Sequence, residues 1–271
     1  MLRRSQLYVP GNNEKMMTKA ASLDADSVVL DLEDSVPDSE KATARSLIGK
    51  VSKELDWGKK ELCVRVNAEG TVDHIRDLSA VRSIERLDAV LLPKAERNCA
   101  PVRTKSGKSL IPIVETARGL MTLESVIGSK GVVAVTYGAG DYASSVGGSV
   151  DAYLGNSTIK TLIVAAARAK GVDPIDNVYF DLEKSEGFRA EAAASRSLGF
   201  VGKQVIHPTQ ILIANEIFSS SDAEVGWATK VVTEFERASR RKRGAFRLEG
   251  RLVDAVHYRI AKGILERKPK A

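Results

Sequence analysis

The stretch VVLDLEDSVPDSEKA, Val28–Ala42, decides how the rest of the chain is read. A short β-branched run ends abruptly in Asp31, Glu33 and Asp34. Pro37 then closes a turn, and Asp38 or Ser39 can cap a helix running from Glu40 to Leu55. Strand, polar turn, amphipathic helix is the βα unit of a parallel sheet. Three carboxylates packed this closely repel one another unless they sit in water or share a cation.

The unit recurs from end to end. Further apolar runs lie at 5–9, 62–66, 88–92, 109–114, 132–137, 177–181 and 203–206. All are short and mostly apolar on both faces, as buried parallel strands are. Helical patterns separate them: Asn12 or Asn13 before Glu14–Leu23, Thr71 before a helix through Leu87, and Asn156 before Ser157–Lys170 with Gly171 after it. Glu186–Leu198 and Pro208–Phe218 fill the later gaps, and Ala223–Arg243 reads as a last long helix. Residues 97–108, with Pro101 and Gly107, leave room only for a short or missing fourth helix.

Eight strands alternating with helices predict a (β/α)8 TIM barrel over residues 1–218, with a C-terminal helical extension over 219–271. A doubly wound open sheet would carry a Gly-rich phosphate loop after an early strand, and PGNN at 10–13 is no such loop.

Hydrophobic residues make up 43% and charged residues 28% of the 271, which is ordinary for a soluble globular protein. No run approaches the ~20 apolar residues of a membrane helix. The N-terminus lacks a signal-peptide pattern, so a cytoplasmic location is expected. Cys63 lies in an apolar strand and Cys99 in a polar loop, with no C-x-x-C pair between them. The net charge of +6 owes much to Arg237, Arg240, Arg241, Lys242, Arg243 and Arg247. That run suits a solvated helix end, a phosphorylated cofactor or nucleic acid. Nucleic-acid binding would leave the acids at the strand ends without a role.

In a TIM barrel the C-terminal strand ends hold the site. They carry Asp31, Glu33 and Asp34 on strand two, and Arg65 and Asn67 on strand three. Lys94 and Glu96 follow strand four, Glu115 strand five, Asp141 strand six and His207 strand eight. Burying so many charges costs several kcal/mol unless they pair or hold an ion. Glu115 and Asp141 suit Mg2+, which takes one or two carboxylates and fills the rest with water and substrate oxygens. Spacing equally allows Glu115 to pair with Arg65 or Arg118. His207, before Pro208 and a helix, reads as a structural histidine at a strand end in preference to a catalytic base. Lys94 could form a Schiff base or neutralise the acids. No Gly-x-Ser-x-Gly elbow is present.

The series RSQLYVPGNN, DSVVLDLEDSV, VRVN, LLPKAE, IPIVETARGL, TYGAGDY and QVIHPTQI resembles the citrate lyase β-subunit-like family, with the malyl-CoA lyases beside it. The resemblance covers nearly the whole chain. It implies a (β/α)8 barrel, Mg2+ dependence, and cleavage or formation of a C–C bond beside a CoA thioester. By the same resemblance Glu115 and Asp141 match the metal ligands and Arg65 the catalytic arginine. Glu33 matches an acid orienting metal-bound water. Asp254, in FRLEGRLVDAVHYRIAKGIL, matches a catalytic acid that reaches a neighbouring subunit. Arg65, Lys94 and Glu115 are expected to hold the substrate, a CoA thioester and a 2-oxo acid such as glyoxylate, oxaloacetate or pyruvate. A homo-oligomer, trimer or hexamer, with shared active sites is implied, and companion subunits of citrate lyase are conceivable partners. A pyruvate-type class II aldolase without CoA, a malyl-CoA thioesterase and a malate synthase-like enzyme are the alternatives.

Overall fold

The computed structural model describes residues 1–240 and 244–266. The chain divides into two compact units, Met1–Phe218 and Ser219–Ala271. Among the described residues no helix is long and apolar enough to cross a membrane.

The first unit opens with β1 (Ser5–Pro10), α1 (Glu14–Ser22), β2 (Ser27–Asp31), α2 (Lys41–Glu54), β3 (Glu61–Arg65), α3 (Val72–Arg82), β4 (Ala89–Leu92) and α4 (Ala100–Ser106). It continues with β5 (Ser109–Val114), α5 (Ala117–Met121), α6 (Leu123–Ile127), β6 (Ala134–Tyr137), α7 (Ala139–Val146), α8 (Val150–Leu154) and α9 (Ser157–Ala169). The unit closes with β7 (Asp173–Asp176), α10 (Ser185–Leu198), β8 (Gly202–Val205) and α11 (Pro208–Phe218). Strands β1 to β8 form a closed barrel in sequence order, each parallel to its neighbours, with β8 returning to β1. This is the expected (β/α)8 barrel.

Strand alternation explains how the core and the site share one set of strands. Val29, Cys63, Ala89, Leu91, Ile111, Ile113, Ala134 and Ile175 form one buried cluster inside the barrel. Val28, Leu30, Leu62, Val64, Val90 and Leu92 belong to the cluster beneath the helices. Two residues beyond Val29 is Asp31; beyond Cys63 is Arg65; beyond Ile113 is Glu115. The inward stripe that fills the barrel therefore ends in charge at the mouth. Parallel register places Asp31 opposite Arg65.

Helix starts follow their caps. Asn13, Thr71 and Asn156 each accept a hydrogen bond from the backbone N–H three residues on. Helix α2 differs from expectation: Asp38–Glu40 form a 3-10 turn, and the helix begins at Lys41 with no side-chain cap. Helix α3 stops at Arg82 rather than Leu87, because Ile84 and Leu87 are buried from a connecting loop and mimic helical periodicity. The fourth helix is present but only seven residues long. Cys99 is not in an open polar loop. It is 5% exposed at the start of α4, its thiol donates to Arg97 O at 3.2 Å, and burial pushes that thiol up to about 11.

The seventh strand is Asp173–Asp176, not 177–181. Its sequence, DPID, looks like a turn, yet Pro174 needs no N–H there. Pro174 uses only its carbonyl, which accepts from Val201 N at 2.9 Å. The acids are paired at opposite ends. Asp173 binds Arg3 at 2.7 Å, and Asp176 is fully buried against Lys203 Nζ at 2.6 Å and Lys160 Nζ at 2.9 Å. Glu191 completes that cluster, 2.6 Å from Lys203. Although burial opposes ionisation of Asp176, the two ammonium groups outweigh it and hold the carboxyl below its usual value. Removing one member strands buried charge, so Asp176→Ala is expected to cost about 3–5 kcal/mol in urea denaturation. An apolar double replacement, Asp176→Leu with Lys203→Met, is expected to recover much of that loss.

The second unit contains α12 (Asp222–Arg240), β9 (Ala245–Leu248), β10 (Arg251–Asp254) and α13 (Ala255–Glu266). Besides the expected helices it carries an antiparallel hairpin, β9–β10, turned by Glu249 and Gly250, both at positive φ. Ala228, Val231, Val253, Ala261 and Ile264 form its core. Arg241, Lys242 and Arg243 of the basic run lie outside the described residues. Arg237 pairs with Glu234 on the same helix, and Arg247 donates to Gly250 O in the hairpin turn.

Candidate active site

Asp31 organises the mouth. Its two oxygens accept from Arg65 Nε and Nη2, each at 2.7 Å. They also accept the backbone N–H groups of Glu33 at 2.9 Å and Ser35 at 3.1 Å, which folds the acid-bearing turn back over the strand end. Burial alone would raise the Asp31 pKa. The bidentate guanidinium and the turn's hydrogen bonds outweigh burial and lower it.

Arg65 Nη1 also reaches Glu33 Oε2 at 2.8 Å and Asp34 Oδ2 at 3.2 Å. The contact with Glu33 is an ion pair without hydrogen-bond geometry, so that buried oxygen keeps an unused lone pair. Beneath, the guanidinium lies 5.3 Å from the centre of the Tyr8 ring. Arg65 is thus fixed from four directions.

Lys94 joins the two halves of the site. Its Nζ donates to Glu33 Oε1 at 2.8 Å and lies 3.7 Å from Asp141 Oδ1. Its backbone N–H donates to Glu115 Oε1 at 2.7 Å. The residue holds φ at 49°, left-handed space that a non-glycine residue seldom occupies. Burial would lower the Lys94 pKa, but Glu33 and the other acids outweigh burial and raise it. The ammonium therefore stays charged, which disfavours a Schiff-base role.

Glu115 is 3% exposed and has no ion pair among the described residues. It pairs with neither Arg65 nor Arg118. Burial, and then the charges of Glu33 and Asp141, push its pKa up to about 8. Gly138 is packed so tightly on it that an added Cβ would meet Glu115 Oε2 at 2.5 Å. Gly138→Ala is therefore expected to displace this carboxylate and weaken Mg2+ binding at least ~10-fold in calorimetric titration.

Asp31, Glu33, Asp34, Glu115 and Asp141 bring five carboxylates to a mouth holding two cations, Arg65 and Lys94. A divalent cation fits that excess. Among the described residues no three His, Cys, Asp or Glu side chains form a ready-made cage. Glu115 and Asp141 could offer such a cation hard oxygen donors of the kind Mg2+ prefers, and the nitrogens nearest them, the N–H and ammonium of Lys94, are donors that cannot ligate a metal. The cavity over them measures about 230 Å3.

Other expected residues are placed elsewhere. His207 bonds through Nδ1 to Thr209 Oγ1 at 2.9 Å at the start of α11, a structural role. Glu96 accepts from Thr116. Asn67 is buried between Lys41, Leu32 O and Asp77. Asp254 caps α13: its Oδ1 accepts from Val256 N at 2.9 Å and meets His257 Nδ1 at 2.8 Å. It is 43% exposed, and the His257 contact lowers its pKa.

Sequence reasoning missed three contributors. Tyr8 carries the ring under Arg65, and Gln204 donates to its hydroxyl at 2.7 Å. Lys41, also missed, is buried under the acid turn and donates to Leu32 O at 3.0 Å and Glu33 O at 3.2 Å. Its signal was available: it shares a helix face with the buried Ala44, Ile48 and Val51.

Fold and site together define a barrel enzyme whose strand ends hold a carboxylate pocket for a divalent cation beside a fixed arginine. The family model for HpcH/HpaI aldolase/citrate lyase matches residues 4–208, and the chain belongs to that family. It is 34% identical to L-malyl-CoA/beta-methylmalyl-CoA lyase of Rhodobacter capsulatus, over 100% of this chain and 96% of the relative. Over 275 residues it is also 34% identical to (3S)-malyl-CoA thioesterase of Cereibacter sphaeroides, covering 97% and 93%. A solved relative is protein CitE of Mycobacterium tuberculosis in complex with magnesium, acetoacetate and coenzyme A. It superposes with a TM-score of 0.82 at 32% identity over 98% of both chains.

Proposed function

We propose that the protein is a Mg2+-dependent carbon–carbon lyase that cleaves, or forms, a 3-hydroxyacyl-CoA, yielding acetyl-CoA and a 2-oxo acid. The observation that carries this reading is Glu115: a buried carboxyl with no ion pair among the described residues, flanked by Glu33 and Asp141 and sharing one small cavity with Arg65.

Glu115 and Asp141 would hold the metal. When bound, Mg2+ supplies polarisation of the 2-oxo acid's carbonyl. Arg65 donates to the same oxygen as negative charge collects there. Burial raises the Glu33 pKa, while Arg65 and Lys94 oppose that rise; Lys94 holds the carboxyl in place, and Glu33 orients water at the mouth. Asp254, from a neighbouring copy of the chain, takes the proton of the β-hydroxyl. The bond between C2 and C3 breaks, and its electron pair forms the thioester enolate. Asp254 then returns the proton to that carbon, leaving acetyl-CoA. Homo-oligomerisation is part of this proposal, because the base comes from another copy; light scattering of the purified protein reads it directly.

A second reading is hydrolysis of malyl-CoA to malate and CoA, supported by the equal identity to a thioesterase. Malyl-, citramalyl- and citryl-CoA supplied with Mg2+ separate the two, since lysis releases acetyl-CoA and a 2-oxo acid. Asp254→Ala is expected to lower kcat at least ~100-fold. If no thioester is consumed, or if Asp254→Ala retains full activity, the lyase mechanism is wrong.

A further inference from the structure

Tyr8 and Gln204 meet inside the barrel, on the adjacent strands β1 and β8. Gln204 Nε2 donates to Tyr8 Oη at 2.7 Å, and both side chains line the cavity that Arg65 and Glu115 also line. Arg65 lies over the same ring, 5.3 Å from its centre. Supporting a guanidinium takes only the face of a ring. The hydroxyl and its amide partner add nothing to that support, and burying such groups is costly unless they are bonded.

A phenol has one hydrogen to give and lone pairs to receive with. Gln204 occupies a lone pair and leaves the hydrogen. Among the described residues nothing accepts it. Gln6 lies two residues earlier on the same face of β1 and pairs with Gln204 in register. It is not the acceptor, since both atoms of its buried amide lack partners among the described residues. Tyr137, the other phenol on the cavity, turns its hydrogen away to Tyr153 O at 3.1 Å.

The charge at the mouth favours a donor of this kind. Burial holds the Tyr8 phenol neutral by raising its pKa, and the nearby Arg65 guanidinium does not offset that. A neutral phenol gives a hydrogen to an anionic guest without adding negative charge beside Asp34, Glu115 and Asp141. It also approaches from a second direction. Arg65 ends β3, whereas Gln204 fixes the hydroxyl on the side of β8.

We infer that Tyr8 is a substrate-binding residue, whose hydroxyl, aimed by Gln204, donates a hydrogen bond to an oxygen of the bound 2-oxo acid. The inference rests on the lyase reading for the identity of that acid. Tyr8→Phe keeps the ring under Arg65 and removes only the hydroxyl. The full-length Mg2+-loaded protein is titrated calorimetrically with glyoxylate, pyruvate and oxaloacetate, and the acid that binds the parent most tightly is the probe. Its binding to Tyr8→Phe is expected to be at least ~10-fold weaker. In condensation with acetyl-CoA, KM for the acid is expected to rise more than kcat falls. The single variant strands the Gln204 amide. Tyr8→Phe with Gln204→Leu removes both partners, so its melting temperature is expected to return towards that of the parent while the acid still binds at least ~10-fold more weakly. Equal affinity in Tyr8→Phe and parent would overturn the inference and leave the lyase reading intact. So would a double variant that regains affinity together with stability, the mark of a purely structural pair. If none of the three acids binds the parent, the inference and the lyase reading both fail.

Discussion

Glu115→Gln is expected to lower kcat/KM at least ~1,000-fold and to abolish the rise in melting temperature that Mg2+ gives the parent protein. The replacement keeps volume and the hydrogen bond from Lys94 N, so the loss measures the carboxylate and not the packing. Losing a Lewis-acid site worth several kcal/mol accounts for that factor. The pH dependence follows from the same carboxyl. Without metal its pKa lies at about 8 in the folded protein, against 4.5 ordinarily, because it is buried beside Glu33 and Asp141. From pH 4.5 up to about 8 the unfolded chain ionises this group while the folded protein keeps its proton. Stability without metal is therefore greatest below that window and falls as pH rises through it. Metal binding must expel the proton, so apparent Mg2+ affinity is expected to climb up to about tenfold per pH unit below pH 8 and then level off. Calorimetry in buffers of different ionisation enthalpy reads the released proton, and Glu115→Gln should release none.

Arg65→Ala is the second large effect. Asp31, Glu33 and Asp34 would be left within one turn without the guanidinium that now contacts all three. Breaking a buried pair of this kind costs about 3–5 kcal/mol, so denaturant midpoints should fall markedly. Activity should fall at least ~1,000-fold, because in the proposed mechanism the donor to the developing oxyanion goes with it. Arg65→Lys separates the two contributions. A lysine keeps the charge but not the planar fork, so it can neither bind Asp31 through two parallel bonds nor lie flat on Tyr8. Its stability should lie between parent and Ala, while kcat stays at least ~100-fold below the parent.

The inward alternation of the strands made much of the mouth legible in sequence. Asp31, Arg65 and Glu115 each follow an interior residue by two, so a strand reading and a barrel rule are enough to gather them. Strand seven was harder. DPID hides its apolar residue between charges that fold inward onto Lys160, Lys203 and Arg3, partners remote in sequence. NVYF looked more like a strand and instead supplies Val178 and Phe180 to the cavity. Tyr8 is one aromatic in an ordinary β pattern, and only three-dimensional stacking reveals that it supports Arg65. Lys94 was legible as a charge at a strand end, but its backbone conformation was not, because that depends on Glu115 waiting 21 residues later.

That conformation sets a limit on how this protein can be improved. At φ 49° a glycine at position 94 would relieve backbone strain of order 1 kcal/mol or more. It would also delete the ammonium that neutralises Glu33. That ammonium is bonded to a carboxylate only 7% exposed, and stranding such a charge costs more than the strain relieved. Position 94 is therefore a point where backbone strain is tolerated for the sake of a charge. Libraries screened for folding and libraries screened for turnover should both reject Lys94→Gly.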